Sequence, residues 1–163
     1  MKKLHTILIL LFTLVVNSQE KQLWAKSFIN KEAPEIVVEE WLSDEPETEG
    51  KFILVDFWAT WCGPCKKAIP ELNAFQSEFQ EDLIIIGISD ETKEKVLKQV
   101  SPKIEYYNAI DPLKRLNKLF EVKGIPHCVL IDPKGIVRWE GWPHLKGYEL
   151  TSQVIKDIIA KYK

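Results

Sequence analysis

The residues best suited to chemistry in this chain are Trp61-Cys62-Gly63-Pro64-Cys65. Two thiols at that spacing can close to a disulfide and reopen, exchanging with a foreign disulfide through a mixed-disulfide intermediate. Phe52–Trp58, apolar except for Asp56, reads as a buried strand leading into the pair. Pro64 then stands just inside a helical start, where its missing N–H costs nothing. The pair therefore falls where a strand hands over to a helix. Unsatisfied N–H groups and the positive end of the helix dipole favour an anion there. Cys62, at the tip, is the expected thiolate and nucleophile, with a lowered pKa. Cys65, one turn inward, is placed to resolve a mixed disulfide formed on Cys62.

Two other uses of the pair compete with exchange. A zinc site needs four ligands, and Cys128, His127 and His144 are not spaced as a second ligand pair. An inert structural disulfide is the other alternative, although three cysteines are too few for a disulfide-built scaffold. Cys128, on a buried strand, reads as a small core residue; a second reading puts it near Cys65 and Asp56, tuning exchange. Strand alternation points His127 the other way, as a structural or surface-tuning residue. Trp24, Trp139 and Trp142 read as packing residues.

The elements that must position the pair follow from periodicity. A short helix or arm is expected at Lys21–Phe28, a short strand at Glu35–Glu39 and a loop at Ser43–Gly50. Beyond the motif, Ile69, Leu72, Phe75 and Phe79 recur at helical spacing, with Pro70 as an expected kink. Leu83–Ser89 is a second apolar strand, Thr92–Val100 a helix, Tyr106–Ile110 a short strand, and Leu113, Leu116, Leu119 and Phe120 mark a short helix. Cys128–Ile131 turns through Asp132-Pro133-Lys134-Gly135 into Ile136–Glu140. Val154, Ile155, Ile158, Ile159 and Tyr162 give a closing helix its inner face. Alternating strands and helices imply a parallel core with crossover helices. The terminal hairpin adds an antiparallel edge, giving an α/β fold with one sheet covered on both faces.

The chain begins with Lys2 and Lys3, an apolar or hydroxylic run from Thr6 to Val16, then Asn17 and Ser18. That order describes a secretory signal peptide over residues 1–18, cut before Gln19. The run is short for a membrane span, so an uncleaved anchor and a buried helix are the lesser alternatives. Residues 19–163 then form a single domain with an N-terminal extension, in a periplasmic or otherwise extracytoplasmic setting. The full chain of 163 residues, 45% apolar and 28% charged, suits one globular core and excludes wholesale disorder. A net charge of −2 gives no basic excess to attract nucleic acid.

The segment Val55-Asp56-Phe57-Trp58-Ala59-Thr60-Trp61-Cys62-Gly63-Pro64-Cys65-Lys66 resembles the active-site segment of thioredoxins nearly residue for residue. Gly124-Ile125-Pro126 is similar to that family's cis-proline loop, and Gly141 to the glycine near the end of its last strand. The apolar leader, Ala33-Pro34 and the added segment between Asp90 and Asp111 resemble the exported TlpA/ResA branch. The resemblance implies a thioredoxin fold, a central mixed sheet flanked by helices on both faces. It makes Asp56 a buried carboxylate behind the cysteines. Desolvation would raise its pKa, suiting a base that deprotonates Cys65 during resolution; a hydrogen-bonded structural aspartate is the alternative. Pro126 is predicted cis, leaving the Ile125 backbone free to pair with an extended substrate segment. Trp61, Gly63 and Pro64 would complete a substrate-binding site, with an apolar rim of Trp61, Pro64 and Ile125 around an exposed Cys62 sulfur.

Two details refine the implied activity. The family's respiratory and cytochrome-maturation members often carry an acid three residues after the second cysteine, where this chain has Ala68. The Gly-Pro dipeptide goes with a reducing poise in the family. The expectation is thus a monomeric reductant of protein disulfides, without cofactor or metal, resupplied by a membrane thiol carrier. A thiol peroxidase and a copper or haem-maturation chaperone using the thiols as soft ligands are the alternatives.

Overall fold

The computed structural model describes residues 23–163. The expected signal peptide and the start of the Lys21–Phe28 segment lie outside them; Leu23–Phe28 is irregular. Among the described residues, no helix is long and apolar enough to cross a membrane.

Among the described residues, six strands and four helices follow one another, mostly in alternation. They are β1 (Glu40–Trp41), β2 (Phe52–Trp58), α1 (Gly63–Glu78), β3 (Leu83–Ser89), α2 (Lys93–Leu97), β4 (Tyr107–Ile110), α3 (Arg115–Leu119), β5 (His127–Ile131), β6 (Val137–Gly141) and α4 (Ser152–Tyr162). The sheet runs β1-β4-β3-β2-β5-β6. β2, β3 and β4 are parallel. β5 pairs antiparallel with β2 and β6 with β5, while β1 runs antiparallel beside β4. The sheet is therefore mixed, with an antiparallel edge at both ends rather than only at the hairpin.

Alternation along β2 divides the core. Phe52 and Leu54 pack with Ala68, Ile69, Leu72 and Phe75 of α1 and with Ile155 and Ile159 of α4. Val55 and Phe57 pack on the other face with Leu116 of α3, Phe120, and the arm residues Phe28, Ala33, Ile36 and Val38. Helices thus cover both faces. Pro70 lies inside α1, which continues through it to Glu78.

Two expected elements shift. Glu35–Glu39 does not form a strand; the short strand is β1, at Glu40–Trp41. Pro34 lacks an N–H for a ladder, and Ile36 and Val38 lie down on the sheet face instead of extending its edge. The expected Thr92–Val100 helix stops at Leu97. The residue before a proline disfavours helical backbone, here Ser101 before Pro102, and Val100 is 81% exposed, with no buried face to hold a further turn.

Candidate active site

β2 ends at Trp58, and the chain turns through Ala59, Thr60 and Trp61 into α1. Cys62 is the N-cap of that helix, with extended backbone (φ −81°, ψ 99°). Its Sγ accepts a hydrogen bond from the Cys65 N–H at 3.1 Å. The sulfur thereby does what a Ser, Thr or Asp oxygen does at other helix starts, satisfying an amide the helix leaves unpaired. Cys62 and Cys65 are joined as a disulfide, with Cα atoms 5.3 Å apart.

The expected rim is only partly present. Trp61 is 71% exposed, whereas Cys62 is 3% exposed, so its sulfur is not open to solvent in the closed pair. The reason is local packing: Cys62 and Cys65 sit in an apolar cluster with Trp58, Ala59, Val96 of α2 and Ile110 of β4. Gly63 and Pro64 are exposed beside Trp61. Ile125 is half-buried against the same cluster, and the Ile125–Pro126 peptide bond is cis. Pro126 itself is buried.

Asp56 shares the β2 face of Phe52 and Leu54, which α1 covers. The chain reverses after β2, so the top of that face lies under the first turn of α1. Cys65, Ala68, Ile69 and Leu72 form the buried stripe of the helix. The Tyr106 hydroxyl donates to Asp56 Oδ2 at 3.2 Å, and the Cys128 thiol to Oδ1 at 3.5 Å. Burial pushes the Asp56 carboxyl up to about 6, and the hydrogen bonds from Cys128 and Tyr106 partly offset that rise. Burial, reinforced by the facing carboxylate, holds Cys128 and Tyr106 well above their usual ranges, so both keep their protons and remain donors.

Sheet register explains how these groups meet. Asp56 is paired with Gly87 on β3 and with Cys128 on β5. A Cβ on Gly87 would come within 2.9 Å of the Tyr106 ring and 3.2 Å of Trp58 Nε1. The missing side chain is the space through which Tyr106 reaches Asp56. Cys128 therefore lies in the core and also contacts Asp56. His127 pairs with Phe57, and their rings lie 6.0 Å apart on the opposite face.

Three contributors escaped the sequence reading. Glu91, just after β3, accepts from Thr60 N–H at 2.6 Å and Thr60 Oγ1 at 3.0 Å, tying down the turn that carries Trp61 and Cys62. In sequence Tyr106 is marked only as the start of a short strand, and Gly87 only as a member of an apolar run. A glycine inside a strand marks a close approach of other groups, and Gly87 within Leu83–Ser89 is such a signal. Among the described residues, no group of three or more His, Cys, Asp or Glu side chains is arranged to hold a metal ion.

Comparison with known proteins agrees with this geometry. The model of the AhpC/TSA family matches residues 29–140. Thioredoxin-like protein YneN of Bacillus subtilis is 30% identical over 96 residues, 56% of this chain and 56% of that protein, so the chain spans about half its length. Thiol-disulfide oxidoreductase ResA of Bacillus thuringiensis is 32% identical over 142 residues, 83% of this chain and 79% of ResA. The thioredoxin domain of a thiol-disulfide oxidoreductase from Bacteroides vulgatus superposes with a TM-score of 0.65 at 25% identity, covering 82% of this chain and 96% of that domain. A reduced 2-Cys peroxiredoxin from Plasmodium vivax shares the fold at a TM-score of 0.61 and 20% identity, over 83% of this chain and 96% of its own. With family coverage across most of the chain, a close counterpart in ResA and a cysteine pair capping the helix after β2, this chain belongs to the AhpC/TSA family as a thiol–disulfide oxidoreductase of the ResA type.

Proposed function

We propose that the protein works outside the cytoplasm as a monomeric reductant of protein disulfides. The observation that carries the proposal is the bond from the Cys65 N–H to the Cys62 sulfur at the start of α1. When the pair is reduced, that N–H and the helix dipole stabilise a thiolate on Cys62. Cys62 attacks a substrate disulfide; one substrate sulfur leaves as a thiolate, and the other stays bound to Cys62. Asp56 then takes the proton of Cys65, whose thiolate attacks the Cys62 sulfur. The Cys62–Cys65 bond forms, the mixed disulfide breaks, and the second substrate thiolate departs. The protein's dithiol is oxidised by two electrons and the substrate disulfide is reduced by two.

Trp61, Gly63 and Pro64 offer the exposed surface beside the pair, and the Ile125 backbone next to Pro126 offers an edge for an extended substrate segment. The reduced pair is regenerated by a membrane thiol carrier. The leader-like order of residues 1–18, two lysines followed by an apolar run and small polar residues, supports the location. A peroxidase is disfavoured by the sequence: the pattern Pro-x-x-x-(Thr/Ser)-x-x-Cys would need Pro at Val55 and Thr or Ser at Ala59.

The test is a trap. Cys65→Ala protein, incubated with extracts of exported proteins, should accumulate mixed disulfides on Cys62 that dithiothreitol releases. Absence of covalent partners, while Cys62 still alkylates, overturns the assignment of protein substrates. A reduction potential near about −270 mV supports the reducing direction, and one near about −120 mV reverses it.

A further inference from the structure

Asp56 is held from two sides by groups that the thiol chemistry does not itself require. Its two oxygens face different donors, Tyr106 Oη on one and Cys128 Sγ on the other. A carboxylate on an apolar sheet face would otherwise be free to rotate and to bury without partners, which is costly. Here both oxygens are engaged and both donors are forced to stay protonated. The cradle depends on a third residue with no functional group. Gly87, the β3 partner of Asp56, leaves the gap that the Tyr106 ring fills. Three strands and the segment before β4 thus converge on one carboxylate.

Among the described residues, no charged side chain shifts the Asp56 carboxyl; burial and its two hydrogen bonds account for it. Beside Asp56, β3 presents Gly87, β5 presents Cys128, and the segment before β4 presents Tyr106. The buried faces of the two helices on that side of the sheet carry no charge: Cys65, Ala68, Ile69, Leu72 and Phe75 of α1, and Ile155 and Ile159 of α4. The other buried acids are engaged elsewhere: Glu91 with Thr60, Asp111 with Arg115, Asp132 with Arg138, and Glu140 with Ser27 and Phe28.

We infer that Tyr106 and Cys128 are positioning residues of the resolving step, fixing the Asp56 carboxylate under α1 and holding it as an anion ready to take the Cys65 proton. Without them the buried carboxyl would keep its own proton at neutral pH and have no capacity to accept another. The inference rests on the proposed base role of Asp56, but it makes a separate claim about what sets the ionisation of that group.

The experiment is a carbon-13 carboxyl titration of Asp56 in the oxidised protein, alongside Tyr106→Phe and Cys128→Val. Both substitutions keep most of the buried volume and remove only the donor. A hydrogen bond to a charged group is worth enough to move a pKa by about one unit, so each variant should titrate about one unit higher than the parent. Cys128→Ser, which restores an O–H, should return the midpoint toward the parent value. In stopped-flow resolution of a preformed mixed disulfide, the pH profile of each variant should move up by the same interval, about a tenfold loss of rate on its acid side. An unshifted Asp56 titration in folded Tyr106→Phe and Cys128→Val overturns the inference while leaving the base role standing. Resolution as fast in Asp56→Asn as in the parent overturns the base role and removes the basis of the inference, whatever the titration shows.

Discussion

Replacing Asp56 by Asn should stabilise the oxidised protein, and only above a defined pH. In the unfolded chain this carboxyl titrates at its ordinary value of 3.8, and in the folded protein at about 6, because burial disfavours the anion. Below about pH 4 both states hold the proton, and the aspartate carries no penalty. Between the two values the folded state binds a proton that the unfolded state has released, so stability falls as pH rises. Above the folded value the loss is complete. A rise of about two units corresponds to about 3 kcal/mol. Asn keeps the shape and an acceptor oxygen but cannot ionise. Urea unfolding of the parent and of Asp56→Asn from pH 3.5 to pH 8 should show curves that converge in acid. The variant should gain up to about 3 kcal/mol by pH 7.5, with unchanged m-values. A stability difference that stays constant across that range would refute the reasoning, since a packing change has no cause to follow pH.

Three shorter predictions follow from the same site. Iodoacetamide labelling of the reduced protein should show Cys62 reacting with a midpoint well below the ordinary thiol value of about 8.5; a midpoint at that value removes the helix-start argument. Gly87→Ala should cost about 1–3 kcal/mol, because its Cβ would press on the Tyr106 ring at 2.9 Å. Equilibrium unfolding measures that loss, and a neutral result would show that the ring yields freely. Glu91→Ala leaves the Thr60 N–H without its carboxylate partner, so hydrogen exchange at Thr60 should accelerate by about tenfold or more; unchanged exchange would mean the turn holds its shape unaided.

How much of this was readable beforehand depends on whether the signal was local. β2, β3 and the helix start at Cys62 are encoded by continuous apolar runs and by a motif whose spacing fixes its geometry, and they fall where the sequence puts them. The arm around Ile36, Val37 and Val38 has the β-branched composition of a strand. Its fate was decided by burial against the sheet face, a tertiary choice that composition does not reveal. Val100 made the stretch after Thr92 look longer than the helix is. The company kept by Asp56 was only half legible. That Cys128 could lie near it was one of two readings, and choosing between them required the β2–β5 register. Tyr106 lies 50 residues away in sequence and is brought in by the parallel β2–β3–β4 order.

At Trp24 the N-terminal arm lies against the loop that carries Ile125. The Lys123 N–H donates to the Trp24 carbonyl at 2.7 Å, and the Trp24 side chain crowds Gly124 so closely that a methyl there would sit 3.1 Å from it. The indole is wedged behind the loop proposed to dock substrate. Trimming the polypeptide past Trp24 would slacken that edge while leaving both thiols, their helix and the carboxylate beneath them untouched. On the proposed mode of binding, a shortened protein would keep the parent's alkylation profile and potential yet grip extended clients poorly.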